Sequence, residues 1–148
     1  MSYIYNATPA YEIPNQKNKE NVEQAMSSTS RESEYKAKMS VSYAAAEREY
    51  KDGHIQEGDK FCEEGKEAAE QAKKEVGSEA MKKYDEYDKR ASQEYSKKDP
   101  DMQKVKEYQE KRDRALIDAQ RKMDKIDESR AKAEEQAKSK KECMSKTR

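Results

Sequence analysis

The stretch between residues 55 and 76 carries a small or apolar residue at alternating intervals of three and four positions. These positions are Ile55, Gly58, Cys62, Gly65, Ala69, Ala72 and Val76. Such spacing puts all of them on one face of an α-helix. Each glycine lowers the stability of a helix by roughly 1 kcal/mol. The glycines in this face therefore predict that a second helix packs closely against it.

The preceding segment supplies large side chains for that contact. Its apolar positions also share one helical face, and they are Tyr35, Met39, Tyr43, Ala46 and Tyr50. Gly53 separates the two segments and is suited to the left-handed conformation that ends many helices. The sequence thus predicts an antiparallel hairpin of helices at 31–52 and 54–77, with Tyr43 and Tyr50 filling the space above the glycines.

Two further helices are predicted. Gly77-Ser78 is interpreted as the end of the second helix and the cap of a third at 79–96. A second boundary lies at Asp99-Pro100, because the residue before proline avoids helical geometry and proline suits the first helical position. A long charged helix follows at 99–142. Its apolar residues concentrate between Leu116 and Ile126, so this part is expected to pack on the other helices and its distal half to project.

Composition limits the size of the core. Charged residues make up 43% of the chain and hydrophobic residues 32%, against about 25% and 45–50% in ordinary globular domains. We predict an all-α protein with a helical body at 31–98, a flexible arm at 1–30 and a basic tail at 143–148. A largely disordered hydrophilic stress protectant is the alternative that this composition also permits.

Few residues are suited to catalysis or to binding a cofactor. His54 is the only histidine and lies in the predicted turn, and Cys62 falls on the regular helical face. Cys143 lies near the tail, so neither cysteine has the spacing of a metal site or a redox pair. Glycine-rich phosphate-binding loops are also absent. We therefore predict a non-enzymatic protein without a cofactor or a bound metal.

Partner contacts are predicted at the arm and on the long helix. The arm carries tyrosines that a purely solvating tail does not need, and it either packs on the chain's own helices or orders on a partner. The basic end of the long helix is a candidate contact for RNA or for an acidic partner, although the net charge is zero. Self-association through the long helix also stays open. The candidate residues are Tyr3, Tyr5, Tyr11, Leu116, Met123, Ile126, Lys138, Lys140 and Lys141.

Part of the chain resembles a known family. Residues 40–85 are similar to the helical domain of unknown function that often precedes Smr nuclease domains, in which an A-Y-x-x-G-D turn is followed by A-x-x-L-S-x-x-G-K and an E-A pair. The matching residues are Tyr50, Gly53, Gly65, Lys66, Glu79 and Ala80. Glu49, His54, Gly58, Phe61 and Cys62 depart from the pattern. The segment is also similar to a tetratricopeptide hairpin, without its proline or its 34-residue repeat.

The first resemblance implies a protein linked to RNA or to the ribosome. It implies no nuclease activity, because no histidine follows His54 and the Smr D-L-H-G motif is absent. The favoured function is a helical interaction or structural module that docks into a larger assembly. An RNA- or ribosome-associated accessory protein is the alternative. With no apolar run at the start and no long apolar segment, an intracellular protein without membrane contact is expected, in the cytoplasm.

Overall fold

The computed structural model of the chain describes the backbone of residues 16–146 and the side chains of residues 31–143. The described backbone forms three helices and no strand: α1 (Gln16–Lys51), α2 (Ile55–Tyr95) and α3 (Met102–Lys146). The prediction of an all-α fold is confirmed. The chain divides into two compact units, Met1–Arg31 and Glu32–Arg148. All packing described below lies within the second unit.

The predicted break at Gly77 is wrong, because α2 continues through it as one helix. Val76 and Ala80, on either side of Gly77, are 3% and 5% exposed and lie on the buried face of the helix. Their burial offsets the cost of a glycine inside a helix, roughly 1 kcal/mol. The predicted helices at 54–77 and 79–96 are therefore both parts of α2, and the predicted fourth helix is α3.

Helix α1 begins earlier than predicted. The sequence analysis assigned residues 1–30 to an arm, whereas α1 starts at Gln16. No proline or glycine occurs between Pro14 and Gly53, and serine lowers helix stability only by tenths of a kcal/mol, roughly. The serine-rich run before residue 31 therefore does not end the helix. Residues 1–15, with Tyr3, Tyr5 and Tyr11, lie outside the described part of the chain.

Gly53 closes α1 as predicted. Its φ angle is 82°, in the left-handed region that glycine adopts without strain. The amides of Gly53 and His54 donate to the carbonyls of Tyr50 and Glu49 at 3.0 and 2.8 Å, which satisfies carbonyl groups at the end of the helix. The chain therefore reverses within Asp52–His54, and α2 begins at Ile55.

Asp101 caps the start of α3. Oδ1 of Asp101 accepts hydrogen bonds from the amides of Gln103 and Lys104 at 3.1 and 3.3 Å, the contacts typical of a helix cap. Oε2 of Glu94 in turn accepts from the amide of Asp101 at 3.1 Å. These contacts hold the α2–α3 turn, and α3 begins at Met102, later than predicted.

Side-chain pairs define the direction of each helix. Asp59, Lys73 and Asp88 of α2 pair with Lys141, Asp127 and Arg112 of α3 at 2.9, 3.0 and 2.8 Å. As residue numbers rise along α2 they fall along α3, so these helices are antiparallel. Tyr43 and Tyr50 of α1 lie against Gly65 and Gly58 of α2, so α1 also runs antiparallel to α2.

The distal half of α3 packs on the other helices, and the prediction that it projects is wrong. Ala137 is 1% exposed, and Gln136 donates to Glu47 of α1 at 3.1 Å. Within the second unit, α1 packs beside residues 55–76 of α2 and 122–143 of α3, which we call the three-helix region. Only α2 and α3 of this unit run through residues 77–121, which we call the two-helix region.

Candidate functional site

The tyrosines of α1 hold the three-helix region together through both their rings and their hydroxyls. Tyr43 and Tyr50 are 2% and 0% exposed. A Cβ atom added at Gly65 would lie 2.5 Å from Cε2 of Tyr43, and one added at Gly58 would overlap the Tyr50 ring. The close packing that the glycines predict is therefore present. Each hydroxyl extends past the glycine to reach a carboxylate.

The Tyr50 cluster joins all three helices. The Tyr50 hydroxyl donates to Oδ1 of Asp59 at 2.5 Å, and Nζ of Lys141 donates to the same oxygen at 2.9 Å. Lys141 also lies over the Tyr50 ring, 5.6 Å from its centroid. These donors lower the pKa of Asp59, the Tyr50 hydrogen bond most strongly. Burial and the bond to Asp59 raise the pKa of Tyr50 well above its usual value.

The Tyr43 cluster joins α1 to α3. The Tyr43 hydroxyl donates to Oε1 of Glu134 at 3.0 Å, and Nη1 of Arg130 donates to the same oxygen at 2.8 Å. Lys138 donates to Oε2 of Glu134 at 3.0 Å. Burial raises the pKa of Tyr43 to about 12. Burial also opposes ionisation of Glu134, but hydrogen bonds from Lys138 and Tyr43 outweigh it and lower the Glu134 pKa.

These shifts keep both clusters in one protonation state near neutral pH. The tyrosines become weaker acids and the carboxylates weaker bases, whereas acid–base catalysis needs pKa values close to the working pH. The hydrogen bonds join charged groups to a buried hydroxyl, and such bonds contribute about 1.5–3 kcal/mol each. We interpret the clusters as contacts that orient α1 on α2 and α3.

The other chemically reactive residues lie apart. His54 is exposed in the turn, where Nδ1 bonds Oε2 of Glu49 at 2.8 Å, and this bond raises the His54 pKa. Cys62 is buried, with Sγ 3.5 Å from the Tyr50 hydroxyl, whereas Cys143 is exposed. Among the described residues no group of three or more histidine, cysteine or acidic side chains is placed to hold a metal ion. No described helix is long and apolar enough to cross a membrane.

A groove lies between α2 and α3, and Glu32 of α1 is one of its lining residues. Its volume is about 310 Å³. We call it the α2–α3 groove, and its lining residues are Glu32, Val76, Glu79, Ala80, Lys83, Tyr87, Lys111, Arg114, Ala115, Asp118, Ala119 and Lys122. Val76, Ala80 and Ala119 belong to the buried core. Tyr87 and Ala115 are partly exposed, so the apolar surface that the groove presents is small and lies between charged side chains.

The charges on those walls are not balanced. Glu32 pairs with Lys36 at 2.8 Å, Asp118 lies 4.0 Å from Arg121, and Glu79 is also engaged. Lys111 lies over the Tyr87 ring, 5.9 Å from its centroid. The remaining lining cations, Lys83, Arg114 and Lys122, have no ion pair among the described residues. Three of the lining cations thus lack an ion pair within the described part of the chain, whereas each lining carboxylate is engaged.

The predicted partner residues are not equivalent in the structure. Leu116 is 41% exposed beside Ile117, which is 53% exposed. Met123 packs against the core, and Ile126 is 3% exposed within it. Lys138 and Lys141 pair with Glu134 and Asp59 at 3.0 and 2.9 Å, and Lys140 is half-buried. Of these described candidates, Leu116 is the residue most available to a partner.

Sequence reasoning missed the α2–α3 groove. The break assigned to Gly77 hid the continuity of α2, so Val76 and Ala80 were placed on different helices. The sequence analysis expects Leu116 to pack on the other helices. In the structure its neighbour Ala115 lines the groove instead. A signal was present in the unbroken four-residue spacing of Ala72, Val76, Ala80 and Tyr84.

Comparison of the chain with models of protein families, with curated proteins and with solved structures finds no match. The resemblance to the helical domain that precedes Smr nuclease domains stays a prediction based on the residues named above. The arguments on function that follow therefore use the geometry and charge of the described residues.

Proposed function

We propose that this chain is a non-enzymatic helical interaction module that docks into a larger assembly through the two-helix region. The observation that supports the proposal is the α2–α3 groove, where the partly exposed Tyr87 and Ala115 lie among cations with no ion pair among the described residues. Contiguous apolar surface rimmed by polar groups is typical of interaction sites. Leu116 and Ile117 extend the exposed apolar area on the same stretch of α3.

The three-helix region supports this division of roles. Its Tyr43 and Tyr50 clusters use their polar groups on one another and bury the rings. That region is therefore a rigid support. A partner that binds the two-helix region gains from this rigidity, because less conformational entropy is lost on binding. The proposed partner contacts also include the long helix with Leu116, and the arm residues Tyr3, Tyr5 and Tyr11.

The experiment is affinity purification of the full chain from its native cells after cross-linking. Ala115→Arg places a long side chain in the α2–α3 groove, whereas Ala131→Arg makes the same change at an exposed position of α3 outside it. We expect Ala115→Arg to lose the specific partners and Ala131→Arg to keep them. Retention of the same partners by both variants, with equal helicity by circular dichroism, contradicts the proposal.

An RNA- or ribosome-associated accessory function is the second candidate. It is supported by Lys83, Arg114 and Lys122, which are as suited to phosphate as to carboxylate. Treating the same purification with RNase separates the candidates, because loss of every partner assigns the function to RNA. The protectant alternative has its own test, since a random-coil circular dichroism spectrum in plain buffer contradicts both folded candidates.

A further inference from the structure

We infer that α1 binds a second copy of this chain through the helical face opposite Tyr43 and Tyr50. Those tyrosines contact α2 and α3, so the opposite face points away from both helices. We call it the outer face of α1, and its exposed residues are Glu34, Ala37, Val41, Ala44 and Arg48. The inference concerns a surface outside the α2–α3 groove and does not depend on the proposed function.

Burial in the three-helix region does not account for the composition of the outer face. Residues 39–46 contain no charged side chain, in a chain of which 43% is charged. Half of this run is buried in the core, but Ser40, Val41 and Ala44 are exposed. Val41 is 65% exposed. A single exposed valine is ordinary, but an uncharged surface around it in so charged a chain is a candidate contact.

Charged side chains of opposite sign lie at equal distances on either side of Val41. Glu34 is seven residues before it and Arg48 seven residues after it, so the three share one helical face. Both charged side chains are exposed, and neither has an ion pair among the described residues. At 1.5 Å per residue they are about 21 Å apart along the helix axis.

This arrangement is complementary to itself. When a second α1 lies antiparallel with a two-fold axis at Val41, residue 34 of each copy faces residue 48 of the other. Glu34 then meets Arg48 of the second copy, and the reverse pair forms at the other end. A parallel pair of helices would instead place Glu34 beside Glu34. The charges therefore select an antiparallel dimer with Val41 of both copies at its centre.

The packing of the three-helix region permits this contact. α2 and α3 lie on the other side of α1, so those of the two copies are kept apart by the paired α1 helices. The Tyr43 and Tyr50 clusters fix the orientation of α1, so less conformational entropy is lost when its outer face is covered. A contact of four helical turns is small beside the roughly 1,000 Å² of a stable interface, so we expect a dissociation constant of about 0.1 mM.

Sedimentation equilibrium of the full chain, up to about 1 mM, tests the contact. We expect a monomer–dimer equilibrium for the natural chain. Glu34→Arg or Arg48→Glu alone places like charges opposite each other at both ends of the dimer, and each is expected to weaken association about tenfold. The two changes together reverse both ion pairs, so the double variant is expected to regain the natural dissociation constant.

The matched controls make the same changes of charge on α3. Glu110→Arg and Lys106→Glu lie at exposed positions of that helix, and both are expected to associate like the natural chain. Because all these side chains are exposed, circular dichroism is expected to show equal helicity for every variant. A natural chain that stays monomeric at every concentration, or a double variant no better than the single ones, overturns the inference.

Cross-linking at Val41 tests the position of the two-fold axis. In a chain with Cys143→Ser, Val41→Cys is expected to give a disulfide-linked dimer with an added oxidant, because the axis brings the two side chains together. Leu116→Cys is the control, since Leu116 is also exposed but lies on α3. A dimer linked through Leu116→Cys and not through Val41→Cys assigns self-association to α3 and overturns the inference.

The failure of this inference is distinguishable from failure of the proposed function. Ala115→Arg is expected to keep the dimer. Val41→Arg is expected to lose the dimer and to keep the partners captured through the two-helix region. If Val41→Arg instead loses a cellular partner while the natural chain is a monomer, the outer face of α1 binds another protein and the inference is wrong.

Discussion

The three-helix region and the two-helix region contain the same types of residue in different surroundings. Gly58 and Gly65 lie under tyrosine rings, whereas a Cβ atom added at Gly77 would meet no atom of the described residues within 4 Å. Tyr43 and Tyr50 are buried, whereas Tyr95 is 63% exposed. The comparison teaches that a glycine or a tyrosine at helical spacing is a core residue here only where a third helix of the same unit covers it.

Tyr50→Ala tests the three-helix region most severely. Tyr50 is completely buried, and removing a large aromatic side chain from a core costs about 3–5 kcal/mol. We expect a decrease of that size in the free energy of unfolding, measured by urea denaturation. Tyr95→Ala is the control in the two-helix region and should change this free energy by less than about 0.5 kcal/mol. If Tyr50→Ala and Tyr95→Ala lower the free energy of unfolding equally, the three-helix region is not more tightly packed than the two-helix region.

Gly65→Ala should be the next largest effect. Its Cβ would lie 2.5 Å from Cε2 of Tyr43, and overpacking of a core costs up to about 3 kcal/mol. Replacing glycine inside a helix returns roughly 1 kcal/mol, so a net loss of about 2 kcal/mol is expected by thermal or urea unfolding. An unchanged or raised midpoint would show that the Tyr43 ring does not rest on Gly65.

Tyr43→Phe tests the Tyr43 cluster separately from its packing. The change removes a hydrogen bond to the ionised Glu134, and we expect a loss of about 1–2 kcal/mol at pH 7. Because the Glu134 pKa is lowered from 4.5 on folding, the stability from its ionised form is present above that value. It disappears as the pH falls through the lowered pKa. Urea denaturation at several pH values should therefore show the unfolding free energies of the natural chain and of Tyr43→Phe converging as the pH falls below 4.5. A constant difference between them down to roughly pH 2 contradicts the role of Glu134.

Gly77→Ala should have the smallest effect and the opposite sign. No side chain between residues 31 and 143 lies within 4 Å of the added methyl group, and α2 is helical on both sides of Gly77. The free energy of unfolding is expected to rise by about 0.5–1 kcal/mol. A loss of stability would indicate that the two-helix region needs a bend or a close contact at Gly77, which would make it resemble the three-helix region.

Much of the fold follows from local signals. The spacing from Ile55 to Val76, the tyrosines of α1 and the left-handed Gly53 are properties of short segments, so they are readable without tertiary contacts. Of the candidate partner residues in the described part of the chain, Leu116 is exposed as such a residue must be. The α2–α3 groove was not predictable in the same way, because its walls come from residues far apart in the chain.

By itself, the sequence determined that the chain is helical, where α1 gives way to α2, and which faces of α1 and of residues 55–76 are buried. These follow from backbone conformation and from periodicity over a few turns. The tertiary structure decided that α2 passes through Gly77, since burial of Val76 and Ala80 on α3 outweighs the local cost of glycine. It also decided which carboxylate meets each tyrosine hydroxyl, because that depends on the register between helices.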